Sequence, residues 1–271
     1  MKISVFYHHI AEAAEQSGRG IRDVIRYARS LGIESAEMEL SALSDDISAA
    51  EMLKSEGMGI SSIYAFYNFG KYPDGSVGFG HIDRATEVGC EKIMIIPGSY
   101  SSEDSAVREK ERENMLAAMR EMCGYAHSKG ITPTIEDFDD SSSPIATARQ
   151  MLWFAERIPE LKITFDTGNF LFSGEDELTA FGLLKDRIAH VHCKDRTFSK
   201  TGGEPKATAD GRIMYPSPVG CGCIKMSEII SALERGGYNG TYVIEHFGAE
   251  DQLEYMKRSA GFLRQFSEVE K

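Results

Sequence analysis

Glu136 in TPTIEDF, Asp166 in KITFDTGNF, His192 in IAHVHCKD and Glu245 in TYVIEHF each close a strand-like run in the second half of the 271-residue chain. Three carboxylates and one imidazole form an oxygen-rich ligand set that suits Mn²⁺ or Mg²⁺ and accepts Zn²⁺ or Co²⁺. A single acid at a strand end is commonly paired with a nearby Lys or Arg, but four such ligands in succession point to strands converging on one divalent ion. Three uncompensated carboxylates in a protein interior would repel one another and be driven to protonate, whereas a cation holds them ionised together. An ion held there would polarise a carbonyl and acidify the adjacent C–H, with Glu136 and Glu245 as the candidate proton carriers.

Such a site requires strands that all end on one side. Strand-like runs cover 3–8, 35–40, 59–66, 92–97, 132–138, 162–166, 188–194 and 241–247, and helical patterns separate them. Several helices close on glycine, in SLGIES, SEGMGI, EVGCEK, SKGITP and RGGYNG, just before the next strand. The FGHIDRATEVG segment carries the weakest helical pattern. Strand alternation puts Thr134 and Glu136, Thr164 and Asp166, His190 and His192, and Val243 and Glu245 on inward faces, with apolar Ile135, Phe165, Val191 and Ile244 outward. Eight strand-then-helix units predict an α/β fold, a (β/α)8 TIM barrel, with residues 1–271 as one domain and reacting groups at the carboxyl ends of its strands. The stretch 197–222 reads as a long irregular connection beside that end, either a lid or a surface excursion.

The IED, FDTGN, HVHCKD and VIEH segments, with VGCGCIKMSEIISALERGGYNG ahead of the last strand, resemble the sugar isomerase and epimerase superfamily built on the xylose isomerase-like TIM barrel. The resemblance follows strand-helix order along nearly the whole chain, and its distinctive motifs, FDTGN and H-x-H-x-K-D, lie in the second half. It implies that Glu136, Asp166, His192 and Glu245 bind one divalent metal ion (Mn, Zn, Mg or Co) and that Glu136 and Glu245 act as acid and base. It also implies an isomerase or epimerase of a small sugar, ketose or keto-polyol, moving a proton next to a carbonyl through an enediolate. Two positions depart from the ketose epimerases of the superfamily. Asn169 stands where they carry a histidine three residues after the aspartate, and Phe198 where they carry an arginine six residues after the histidine ligand. An inosose-type dehydratase and a sugar-binding barrel without turnover are the alternative readings.

Other residues are candidates for holding the substrate. Lys194 shares the inward face with His192, Asn169 follows the FDTG turn, and Tyr7, His9, Tyr64 and Phe66 could shape the rim by stacking on the apolar face of a sugar. Endonuclease IV, in the same superfamily, has extra zinc-binding histidines on early strands. His8, His9 and His81 could imitate them, although adjacent His8 and His9 would point to opposite faces of a strand.

The expected partner is a small sugar or polyol. Lys and Arg number 30 against 42 Asp and Glu, so a net charge of −12 works against a nucleic-acid backbone. No run approaches the roughly 18 apolar residues of a membrane span, and MKISVFYHHI lacks a cleavage-site pattern. Five cysteines leave one unpaired in any disulfide scheme, so a reducing, cytoplasmic setting is expected. Self-association through exposed helix faces, giving a homo-oligomer, stays open.

Overall fold

The computed structural model describes residues 1–43, 47–140 and 142–267. Ten strands follow in chain order: β1 (Lys2–Phe6), β2 (Ser35–Glu39), β3 (Gly59–Phe66), β4 (Lys92–Ile96), β5 (Thr132–Glu136), β6 (Lys162–Asp166), β7 (Ile188–Thr197), β8 (Lys206–Ala207), β9 (Ile213–Ser217) and β10 (Thr241–Glu245). Strands β1 to β7 pair in sequence, and β10 pairs in parallel with both β7 and β1, closing an eight-stranded parallel barrel. The chain is thus a (β/α)8 barrel, with α1 (Tyr7–Ser17), α2 (Ile21–Ser30), α3 (Ser48–Ser55), α4 (Phe79–Val88), α5 (Ser105–Ser128), α6 (Ala148–Ala155), α7 (Glu177–Leu184), α8 (Met226–Arg235) and α9 (Gln252–Arg264) outside it.

Alternation along the strands builds two different interiors. Outward side chains such as Val5, Met38, Ile63, Ile93, Ile135, Phe165, Val191 and Ile244 pack with the helices into one continuous apolar core. Inward side chains are of two kinds. Phe6, Tyr64, Met94, Ile96 and Val243 form a small apolar cluster, while Glu37, Thr134, Glu136, Thr164, Asp166, His190, His192, Lys194 and Glu245 are polar and buried. The polar half begins as a hydroxyl ladder: Thr164 Oγ1 donates to Thr134 Oγ1 at 2.7 Å, and Thr134 Oγ1 donates to the Ile93 carbonyl at 3.0 Å.

Local chemistry sets the element ends. Gly32, Gly57, Gly89, Gly130 and Gly237 close the helices before five strands with φ between 73° and 82°, a conformation open to a residue without Cβ. Asp104, Asp176 and Asp251 cap α5, α7 and α9 through their side chains, and Thr147 with Gln150 forms a capping box on α6. The weak FGHIDRATEV pattern is a helix, α4, which buries His81, Ile82 and Ala85.

Two expectations shift. The first strand stops at Phe6 and Tyr7 opens α1, because His9, Ile10 and Ala13 bury at helical spacing. His8 and His9 are therefore helical. The 197–222 connection is not wholly irregular: β8 and β9 form an antiparallel ribbon, and β9 pairs with the extended end of β7 through Asp195–Ser217, Arg196–Pro216 and Thr197–Tyr215.

His81 is a helix-packing residue, with one ring nitrogen 3.0 Å from the Ile63 carbonyl and the other 3.0 Å from the Tyr67 hydroxyl. Burial pushes its pKa from 6.5 down to about 4. The folded state therefore resists a proton that the unfolded chain accepts, and stability falls as pH drops from 6.5 through 4, by about 3 kcal/mol at pH 4. Urea denaturation between pH 7 and 4 is expected to show this loss in the wild type and a correspondingly shallower fall in His81→Gln. Parallel profiles would contradict the assignment.

Candidate metal centre

Glu136, Asp166, His192 and Glu245 close or approach the carboxyl ends of β5, β6, β7 and β10, and pairing fixes their heights: Asp166 lies beside His192, His192 beside Val243, and Glu245 beside Lys194. All four are buried, and each offers one donor atom within 4.8 Å of the others. His192 Nδ1 hydrogen-bonds Glu136 Oε1 and lies 3.0 Å from Glu245 Oε2. Lys194 Nζ reaches Glu245 Oε1 at 2.5 Å, Asn169 Oδ1 at 2.7 Å and Asp166 Oδ2 at 3.6 Å.

The FDTGN turn is shaped around its aspartate. The backbone N–H groups of Gly168 and Asn169 donate to Asp166 Oδ1 at 2.7 and 2.8 Å, which leaves Asp166 Oδ2 buried without a hydrogen bond. Gly168 is required there, since a Cβ would lie 2.7 Å from the Lys194 carbonyl oxygen. The Asn169 side-chain amide spans from the Asp137 carbonyl, 2.8 Å away, to Lys194. Asp137, also buried, accepts the Asp166 backbone N–H at 3.0 Å.

Electrostatics divide the carboxylates. Burial favours the neutral form of every one of them. At Glu245 the Lys194 and His192 charges overcome burial and hold the pKa well below the usual range. At Glu136 burial prevails, only partly offset by His192, and at Asp166 it prevails despite Lys194, so both are raised. Burial opposes the charge of Lys194, but Asp166 and Glu245 keep it an ammonium ion.

Glu37, in the middle of β2, was not singled out from the sequence. Its Oε2 accepts from His190 Nε2 at 2.8 Å and from His192 Nε2 at 3.0 Å. With Nε2–H committed to Glu37, the Nδ1 atom of His192 faces Glu136 and Glu245, either carrying a proton toward them or, in the neutral ring, offering a lone pair. The available signal was a charged residue on the inward parity of a predicted strand.

A cation fits this arrangement. Three carboxylates and an imidazole converge, and Asp166 Oδ2 and Glu245 Oε2 have no hydrogen-bond partner although buried. Glu136, Asp166, His192 and Glu245 are the residues able to hold it.

Above them lies a cavity of about 280 Å³, lined in part by Glu136, Glu245, Lys194, Asn169 and Tyr64. Asp166 and His192 do not line it. Tyr7 lines a neighbouring groove that shares His8, Glu39 and Tyr64 with the cavity. His9 lines neither. Because α1 begins at Tyr7, His9 turns inward, accepts the His246 backbone N–H at 3.1 Å and packs its ring 4.7 Å from that of His246. His8 occupies the rim position expected of His9. The β8–β9 ribbon does not line the cavity either, though its Lys206 pairs at 2.6 Å with the lining residue Asp139. Asp195 anchors the connection by accepting the N–H groups of Gly220, Gly222 and Ile224.

A sequence model of the xylose isomerase-like TIM barrel matches residues 25–266. An inosose dehydratase of Lacticaseibacillus casei is 33% identical over 93 residues, covering 32% of this chain and 30% of that protein, so the match spans under a third of that relative's length. An inosose dehydratase of Geobacillus thermodenitrificans is 26% identical over 215 residues, covering 71% of this chain and 70% of the relative. Among solved structures, a probable 3-DHS dehydratase from Bacillus anthracis superposes with a TM-score of 0.74 at 17% identity, covering 97% and 99% of the two chains. A D-allulose 3-epimerase from Methylomonas sp. gives 0.73 at 17% identity, covering 98% and 97%.

Glu37 accepts from two buried rings and compensates the charge of His192, and Glu37→Leu is expected to destabilise the fold by about 3–5 kcal/mol in urea denaturation. Burial favours its neutral form, but its interactions with His192 and His190 outweigh burial and lower the Glu37 pKa from 4.5 to about 2. Its contribution is therefore full above pH 4.5 and disappears as pH falls through 2. Wild-type stability in Glu37→Leu would show that the pairings carry no weight.

Proposed function

Since the chain belongs to the xylose isomerase-like TIM barrel family, we propose that it is a divalent-metal-dependent enzyme that moves a proton next to the carbonyl of a small sugar or polyol. The observation that carries this reading is that Glu136 and Glu245 belong both to the four-ligand group and to the cavity wall, whereas Asp166 and His192 belong only to the former. Two of the ligands can therefore touch a bound molecule. A divalent cation, Mn²⁺, Mg²⁺, Zn²⁺ or Co²⁺, would supply Lewis acidity toward a substrate oxygen.

The chain's own groups supply the proton chemistry. Glu136 and Glu245 both reach the cavity wall, so one accepts a proton from the carbon beside the carbonyl and the other delivers one from another side of the cavity. Lys194 and Asn169 line the same wall and orient substrate oxygens, while Tyr64 presents a hydroxyl that has no hydrogen-bond partner among the described residues. Delivery to the same carbon epimerises, and delivery to the neighbouring carbon isomerises. The names of the sequence relatives keep an alternative outcome of the same first step in view, loss of a β-hydroxyl as water with one of the two glutamates protonating the departing oxygen.

Metal analysis of the purified protein is expected to find about one divalent ion per chain, lost in Asp166→Ala and His192→Ala. With metal restored, Glu136→Gln and Glu245→Gln are each expected to lower turnover by about 10²- to 10⁴-fold. The assay incubates ketoses and inososes in D₂O and follows solvent hydrogen exchange and product by NMR. Full exchange by both glutamine variants would refute the acid and base roles.

A further inference from the structure

The walls of the cavity differ in a way that the proton chemistry does not require. Beside Glu136, Glu245, Lys194 and Asn169 stand Phe6, Phe66, Met94, Ile96, Phe138 and Phe247, so a large part of the lining offers no hydrogen bond. Phe66 closes β3 at the rim with 57% of its surface exposed, and its one ring neighbour among the described residues is Tyr64, 6.1 Å away. An aromatic ring held at the edge of a concave site gains when a ligand covers it, and rings of this kind stack on apolar faces.

Charge narrows the ligand further. Glu39, Asp139, Glu136 and Glu245 line the cavity, and no arginine does. The one lining lysine, Lys194, already serves Glu245, Asn169 and Asp166. Asp139 is paired outside the cavity with Lys206 and the lining His8 with Glu12, while Glu39 has no ion pair among the described residues. A phosphate or carboxylate brought into this cavity would meet carboxylates on several sides and find no uncommitted guanidinium or ammonium, and one divalent ion does not make the lining positive. At about 280 Å³ the cavity is at the small end of ligand sites and is filled by one sugar ring, so a substituent on that ring lies at the rim beside Phe66.

We infer that the substrate is an uncharged polyol or sugar carrying an apolar substituent, with its oxygenated edge toward Glu136, Glu245, Lys194 and Asn169 and its apolar part against Phe66, Phe138 and Phe247. This inference rests on the proposed proton-transfer reading and makes Phe66 a specificity-determining residue for it. Phosphate esters and carboxylated rings are excluded by charge. Highly hydroxylated rings without an apolar part leave the aromatic wall uncovered.

The test is calorimetric titration of Mn²⁺-loaded protein, and in parallel of EDTA-treated protein, with phenyl β-D-glucopyranoside, methyl β-D-glucopyranoside and glucose 6-phosphate. The phenyl glucoside is expected to bind at least tenfold more tightly than the methyl glucoside, and glucose 6-phosphate more weakly than either. Phe66→Ala is expected to bring the two glucosides within about threefold of each other while its bound-metal stoichiometry stays that of the wild type. Because the aromatic wall holds no metal ligand, the phenyl preference is expected in both preparations. A phenyl preference without metal binding would sink the metal reading and leave this inference standing. Absence of phenyl glucoside binding, equal affinity for the two glucosides, an unchanged preference in Phe66→Ala, or tightest binding by glucose 6-phosphate would overturn it.

Discussion

Everything at the carboxyl end of this barrel depends on keeping buried carboxylates compensated. Glu37, Glu136, Asp166 and Glu245 all turn inward where water cannot screen them, and desolvation alone would neutralise each. The barrel answers with a small number of shared partners. His192 sits between Glu37 on one ring nitrogen and Glu136 and Glu245 on the other, and Lys194 stands between Glu245 and Asp166. Each partner serves at least two acids, so their positions are interdependent.

That sharing explains how one scaffold gives its acids different characters. Glu245 touches both Lys194 and His192 and is held ionised, while Glu136 has His192 alone and retains a preference for its proton. Two chemically identical side chains at the ends of β5 and β10 thereby stand in different electrostatic surroundings. Glu37 contributes from the far side of the barrel by committing the Nε2 atoms of both His190 and His192, so the orientation of two imidazoles on β7 is set by a residue on β2.

The inner face is asymmetric in a second sense. Most of the buried hydroxyls and charges stand on β5, β6 and β7, with Glu37 on β2 and Glu245 on β10, whereas Phe6, Tyr64, Met94, Ile96 and Val243 form an apolar cluster. The apolar cluster limits water beside the carboxylates, which strengthens their interactions, and it supplies the wall against which a ligand's apolar part can rest. The β7 extension and the β8–β9 ribbon frame this mouth from outside the cavity, anchored through Asp195 and bordering it at Lys206 and Asp139.

Much of this was legible in the chain before any coordinates. Period-two alternation and glycine-closed helices determined eight strands and their inward parity, because side-chain direction in a strand is a local property. That parity also puts the four strand-end ligand candidates on inward faces. Strand-end positions beyond the last ladder pair were less secure: His9 was expected at the rim, but α1 starts at Tyr7 and the helix carries His9 inward. Glu37 needed the closed barrel, since nothing local places a residue of β2 within 3.0 Å of a ring on β7, 155 positions later. The division of charge between Glu136 and Glu245 was likewise beyond the sequence, because it depends on which acid stands closer to Lys194, a distance that only strand register and barrel closure decide.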